Sequence, residues 1–253
     1  MGFSMRFIVI IALFAVPAAA WAVHPLAVED TFTQGKGNYL FELNGDYLKN
    51  NAFKTTQVNG IITAGAGKRT DVALEVPYLM LNPSEATGQY ERGTGDLRFK
   101  IKHQLFENEV HQSMGYLIYG DFPTGNADEG LGKHGVVWGF KLMDTQGCCS
   151  NFFHLNAGYE VLGRDLKGLH FGNDYAITYG LAVEHKITEP FRFLAELKGE
   201  NRREEGRYSR PFTFLAGFKY DFSRSWYVDL AARAGLNRYA EDYAVLAGTA
   251  WRF

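Results

Sequence analysis

Arg98, Lys100 and Lys102 stand at every second position of the run from Asp96 to Phe106, with Leu97, Phe99, Ile101 and Leu105 on the alternate face. Residues two apart point to the same side of an extended chain, so the three cations share a face. Asp71 and Glu75 have the same spacing in the run from Asp71 to Met80, opposed by Val72, Leu74, Val76, Tyr78 and Met80. A later run, Phe191 to Glu200, contributes Arg192, Glu196 and Lys198, and Glu184, Asp229 and Arg233 occupy matching positions nearby. Charges arrayed this way can sort solutes in an aqueous passage. They can equally pair across neighbouring strands and lock a closed lumen. Both readings stay open from sequence alone.

Catalysis finds less support. A nucleophile needs a base within hydrogen-bond reach. His103 and His185 fall on apolar faces without an evident Ser beside them, His154 falls on a polar face, and His134 and His170 lie in connections. No catalytic residue, cofactor or metal ligand is assigned, and a lipid hydrolase is the weakest of the functional classes. Cys148 and Cys149 are adjacent. A bridge between neighbours closes a tight, strained ring, and two thiols without spaced partners are a weak metal signal. Whether they are bridged is left open.

The elements that must position these charges are strands. Twelve segments carry a period of two: 38–48, 55–66, 71–80, 96–106, 112–121, 135–143, 151–162, 174–186, 191–200, 211–222, 226–236 and 242–253. In 112–121, Met114, Tyr116 and Ile118 are expected outward. Short links near 67–69, 107–110, 187–190 and 223–225 alternate with longer polar ones near 81–94, 121–134, 163–173 and 200–210. One short side and one long side is the build of a transmembrane antiparallel up-and-down β-barrel with periplasmic turns and extracellular loops. Slipping the 96–106 strand by one residue would turn three cations into lipid, at a cost on the order of 5–10 kcal/mol. An even strand number puts both termini on the periplasmic side. Aromatics gather at both strand ends, as interface-seeking rings do. The last strand ends on Trp251, Arg252 and Phe253, an aromatic terminus suited to reading by the barrel-assembly machinery. A soluble two-sheet protein is the competing fold.

Residues 1–22 carry Arg6, an apolar run from Phe7 to Val16 and Ala20-Trp21-Ala22, the pattern of a cleaved secretory signal. The remaining chain has 25 basic and 28 acidic residues, which excludes a nucleic-acid partner on charge grounds. Aromatics make up 15% and glycines number 28, while the mean hydropathy of −0.20 fits strands with one polar face. Residues 23–37 show no strand period and form either a partial plug or a leader in the periplasm. Residues 38–253 are the barrel. Small inward residues, Ala176, Thr178, Gly180 and Ala182 on one strand and Gly217, Ala231, Gly235, Ala244, Gly248 and Ala250 on others, leave room inside.

Several motifs recur in order: His24-Pro25-Leu26, Glu29-Asp30-Thr31, Gln34-Gly35-Lys36-Gly37, then Gly93-Thr94-Gly95-Asp96-Leu97 and Phe122-Pro123-Thr124-Gly125. In that order the chain resembles the outer-membrane transporter family named for the MetA pathway of phenol degradation. The resemblance implies a barrel in the outer membrane of a Gram-negative bacterium. It also implies a role in moving small solutes, aromatic or hydrophobic compounds among them, and no catalytic residues. Its partners would be outer-membrane lipids and the solute. A structural or adhesion barrel with a salt-bridged lumen is the alternative.

Overall fold

A computed structural model describes residues 24–50, 53–83, 90–108, 112–162, 174–204 and 206–253. The expected signal segment, residues 1–22, and the connection at 163–173 with His170 lie outside the described residues. The strands are β1 (Tyr39–Lys49), β2 (Phe53–Gly65), β3 (Thr70–Pro83), β4 (Glu91–Thr94), β5 (Leu97–Glu107), β6 (Gln112–Phe122) and β7 (Val137–Cys148), followed by β8 (Asn151–Leu162), β9 (Tyr175–Lys186), β10 (Phe191–Glu204), β11 (Arg207–Ser209), β12 (Phe212–Asp221), β13 (Trp226–Gly235) and β14 (Tyr243–Arg252).

The wall contains twelve strands, because two of them are broken. β4 and β5 lie end to end along β3, with Tyr78 opposite Thr94 and Glu75 opposite Arg98. At the break the Gly95 amide still donates to the Pro77 carbonyl at 2.9 Å. β11 and β12 likewise run end to end along β10. Every neighbouring pair is antiparallel, and β1 closes on β14 from Leu40 opposite Arg252 to Lys49 opposite Tyr243. Phe253 completes the seam by exchanging both backbone hydrogen bonds with Tyr39, at 2.8 and 3.1 Å.

Some boundaries differ from expectation. The 81–94 and 200–210 connections are shorter than their polar composition suggests, because β3, β4, β10 and β11 extend the ladder past the apolar band. β7 runs to Cys148 rather than ending at Met143, which leaves a tight turn at Cys149 and Ser150. There the thiols are exposed and unbridged, with sulfurs 3.5 Å apart. A bulge between Gln104 and Phe106 leaves both Leu105 and Phe106 facing outward, so the strict alternation of 96–106 fails at its end.

The outward face is an apolar band. Leu43, Ile62, Leu74, Phe99, Ile118, Phe140, Leu155, Leu181, Phe218 and Leu230 are exposed around the circumference. No soluble monomer leaves so large a continuous apolar surface to water, and a closed barrel is one of two structures that satisfy their backbone within hydrocarbon. Aromatic girdles bound the band. At the short-turn end Tyr39 stacks on Phe253, Phe41 on Trp251, and Phe222 on Trp226 with centroids 4.3 Å apart. At the long-loop end Tyr47 meets Tyr243 and Tyr159 meets Tyr175. The protein is an outer-membrane β-barrel, with short turns on the periplasmic side. Substituting Leu155→Arg near the middle of β8 is expected to cost about 2–4 kcal/mol, read as an earlier midpoint in urea unfolding of the vesicle-embedded barrel, whereas Leu155→Ile leaves the midpoint within error.

Candidate functional site

Inside the barrel, residues 24–34 follow the wall around most of its circumference. His24 sits between two carboxylates, with Nδ1 2.6 Å from Asp229 on β13 and Nε2 3.3 Å from Asp46 on β1. The amides of Ala27 and Val28 both donate to one Glu196 oxygen on β10, at 2.6 and 2.7 Å. Asn156 on β8 accepts from the Glu29 amide and donates to the Glu29 carbonyl, at 2.7 and 2.8 Å. The Thr31 amide donates to Thr145 on β7, and the Thr31 hydroxyl meets Ser113 on β6. Lys102 on β5 holds Asp30 at 2.9 Å, and Asp71 on β3 accepts from the Gln34 amide. A strandless segment has no ladder to satisfy its backbone, so side chains of the wall do so.

The side chains of this segment explain the small residues of the wall. Leu26 and Val28 pack against Ala182, Leu194, Leu215, Ala231, Ala244 and Leu246. A Cβ on Gly180 would stand 2.5 Å from Val28, and one on Gly248 would stand 2.4 Å from the His24 ring. Phe32 meets Phe152 edge to face, with centroids 5.6 Å apart. The apolar part of the segment thus fills the lumen against β9 to β14, while His24, Ala27, Glu29 and Gln34 border the space that remains.

The other side holds a cavity of about 280 Å³ whose lining includes Glu42, Glu75, Arg98, Lys100, Lys141 and Lys198. The expected charged residues divide between the two regions. Asp71, Glu75, Arg98, Lys100, Lys102 and Lys198 line the cavity. Glu196 and Asp229 hold the segment, while Glu184, Arg192 and Arg233 lie elsewhere on the inner wall. Glu184 is 3.5 Å from buried His154, Arg192 is 2.9 Å from Asp221, and Arg233 pairs with Glu241. Lys100 reaches diagonally past Ala73 to Glu75 at 2.8 Å, while Arg98, directly opposite both Glu75 and Asp121, makes a two-point contact with Asp121 on β6 at 2.5 and 2.8 Å. Lys102 leaves the wall and pairs with Asp30.

Glu42 lies on the inward face of β1, as the period of two in 38–48 requires. Asn59, Asp121, Lys141, Asn156 and Glu160, with Leu117 and Tyr119, also point inward without having been singled out from the sequence; each alternates with an outward apolar residue on its strand. Tyr119 donates to Glu160 at 2.5 Å and carries the Arg98 guanidinium over its ring.

The segment's charges respond to this setting. Burial would lower the His24 pKa, but the hydrogen bonds its ring donates to Asp229 and Asp46, with their charges, outweigh it and raise it to about 9. Burial would raise the Glu29 carboxyl, yet the ammonium groups of Lys102, Lys100 and Lys141 bring it down to about 2. A raised His pKa contributes stability that is whole below its ordinary 6.5 and lost as pH rises through about 9. The expected outcome is a fall in thermal stability between pH 7 and 10 that His24→Ala removes, with the His24 imidazole titrating near 9 by NMR.

No curated protein matches the chain by sequence. Among solved structures, an outer-membrane channel from Pseudomonas putida F1 superposes with a TM-score of 0.71 at 13% identity, covering 90% of this chain and all of that one. The NanC porin superposes at 0.61 with 11% identity, covering 83% of this chain and 98% of that one. The KdgM porin, solved with disordered oligogalacturonate, superposes at 0.56 with 9% identity, covering 85% and 99%. These likenesses concern the barrel fold. The family model described as "Putative MetA-pathway of phenol degradation" matches residues 30–253, and the chain belongs to that family.

Proposed function

We propose that this protein is a narrow channel for passive passage of small solutes across the outer membrane, with residues 24–34 as a partial plug that sets the bore. The observation that carries this reading is the division of the lumen. A segment tied to the wall by side-chain hydrogen bonds fills one side, and a charged cavity of about 280 Å³ occupies the other. The pore-lining group would be Asp71, Glu75, Arg98, Lys100, Lys102 and Lys198. Leu40, Ile61 and Leu117 also line the cavity. Apolar and cationic groups together suit small aromatic compounds that carry a hydroxyl or carboxylate, in keeping with the family's description.

The protein is read as a transporter rather than an enzyme. Thr145, His154 and Glu184 do stand in the order of a nucleophile, base and acid, with Thr145 Oγ1 3.0 Å from His154 Nδ1. Thr145 is fully buried, however, and its hydroxyl already accepts from the Thr31 amide. A substrate has no approach to it. The partners beyond solute and lipid would be the assembly machinery, reading the β14 strand and Phe253.

One set of contacts favours a closed structural barrel instead: the Arg98–Asp121, Lys100–Glu75 and Lys102–Asp30 pairs form a lattice across β3, β5, β6 and the segment. Planar-bilayer recording separates the two. The channel reading expects a small steady conductance from the refolded barrel, raised severalfold by the double variant Glu196→Ala and Asn156→Ala, which frees the segment. Silence from both proteins at every voltage, with both shown folded by heat-dependent gel mobility, would establish the closed lattice.

A further inference from the structure

The outward face of the barrel carries its own charged site, away from the lumen. On antiparallel neighbours the outward residues at the long-loop end are Tyr243 of β14, Lys49 of β1, Lys54 of β2 and Asn82 of β3, each directly opposite the next. Lower by two residues on β3, Met80 stands opposite Arg92 of β4, which also faces outward. Lys54 and Arg92 are exposed, and the Lys49 ammonium lies 5.7 Å from the centre of the Tyr243 ring.

Two features make this row unlike ordinary surface lysines. First, Lys49 and Lys54 are like charges placed directly across a strand pair, an arrangement that destabilises a sheet unless something neutralises it. Among the described residues no ion pair engages Lys49, Lys54 or Arg92. Glu91, beside Arg92 in sequence, alternates onto the lumen side of β4 opposite Leu81. Second, the row caps the apolar band at headgroup height. Val245 and Tyr47 lie one row below it, level with Arg92, followed by Val58 beside Tyr78 and then Val76 on the same face. Water cannot be the partner of the lower part of such a surface, and cations at this height extend toward headgroups.

We propose that Lys49, Lys54 and Arg92 bind the phosphate groups of a phosphorylated glycolipid of the outer leaflet, with its acyl chains lying along the valines below. Arg92 offers a fork to one phosphate oxygen pair, and the two lysines act as point charges on another. The tyrosine hydroxyls and Asn82 supply neutral donors at the same level. This site is independent of whether the lumen conducts.

The test is lipid retention by the purified full-length barrel in a non-ionic detergent, measured by native mass spectrometry during titration with bisphosphorylated lipid A. One lipid is expected to remain bound per barrel. Each of Lys49→Gln, Lys54→Gln and Arg92→Gln is expected to weaken binding roughly fivefold, and the triple variant about a hundredfold. Arg203→Gln, which removes an outward rim cation beside Tyr175 and Tyr208, leaves binding unchanged. Dephosphorylated lipid A is expected to bind no better to the wild type than to the triple variant. Heat-dependent gel mobility confirms that each variant is folded. Equal binding by wild type and triple variant, an Arg203→Gln loss as large as the others, or displacement of the lipid by millimolar inorganic phosphate would each overturn the assignment.

Discussion

The structure rests on one requirement: within hydrocarbon every backbone N–H and C=O must be satisfied by the chain itself. Twelve strands meet it only if the first and the last join, and they join along the whole of β1 and β14, out to the final residue. An open edge at this seam would leave a row of donors and acceptors in lipid, each costing several kcal/mol as an order of magnitude. The aromatic terminus belongs to the same solution. Phe253 and Trp251 cover the seam with Tyr39 and Phe41, where the wall enters the periplasmic interface.

Closure creates an inside too wide for twelve inward rows of side chains to fill. Two different answers appear on the two sides of the lumen. Between β9 and β14 the wall presents an apolar patch of Ala182, Leu194, Leu215, Ala231, Ala244 and Leu246, and the segment's Leu26 and Val28 pack on it. From β1 to β7 the wall is lined with charges that pair with one another or with Asp30, and water-sized space remains. The segment is held by groups that a soluble protein would avoid burying. Glu196 accepts two backbone amides, and His24 stands between two carboxylates. Bonds of this kind are strong where water is scarce, and each depends on its partner staying in place.

The outer surface shows the same economy in reverse. Among the described residues its middle carries no unpaired charge that the strand parity turns outward, while its extracellular edge gathers Lys49, Lys54 and Arg92 with tyrosines beneath. Charge is tolerated there because headgroups and water are within reach of a long side chain. The lumen and the rim therefore follow one rule, applied to two solvents.

Much of this was legible in the chain. The alternation that puts Arg98, Lys100 and Lys102 on one face and Phe99 and Ile101 on the other fixes strand, register and membrane together, because each cation in lipid carries a separate penalty. Strand number, direction and the inward position of Asp71, Glu75, Glu196 and Asp229 follow from the same local periodicity. What each inward charge touches does not. Lys102 meets Asp30 across 72 residues of sequence, and His24 meets Asp229 across 205. Period-two patterning reports which way a side chain points, and it is a property of a few neighbouring residues. Which groups face each other across the lumen depends on curvature, stagger and the path of an aperiodic segment, and these exist only once the sheet has closed.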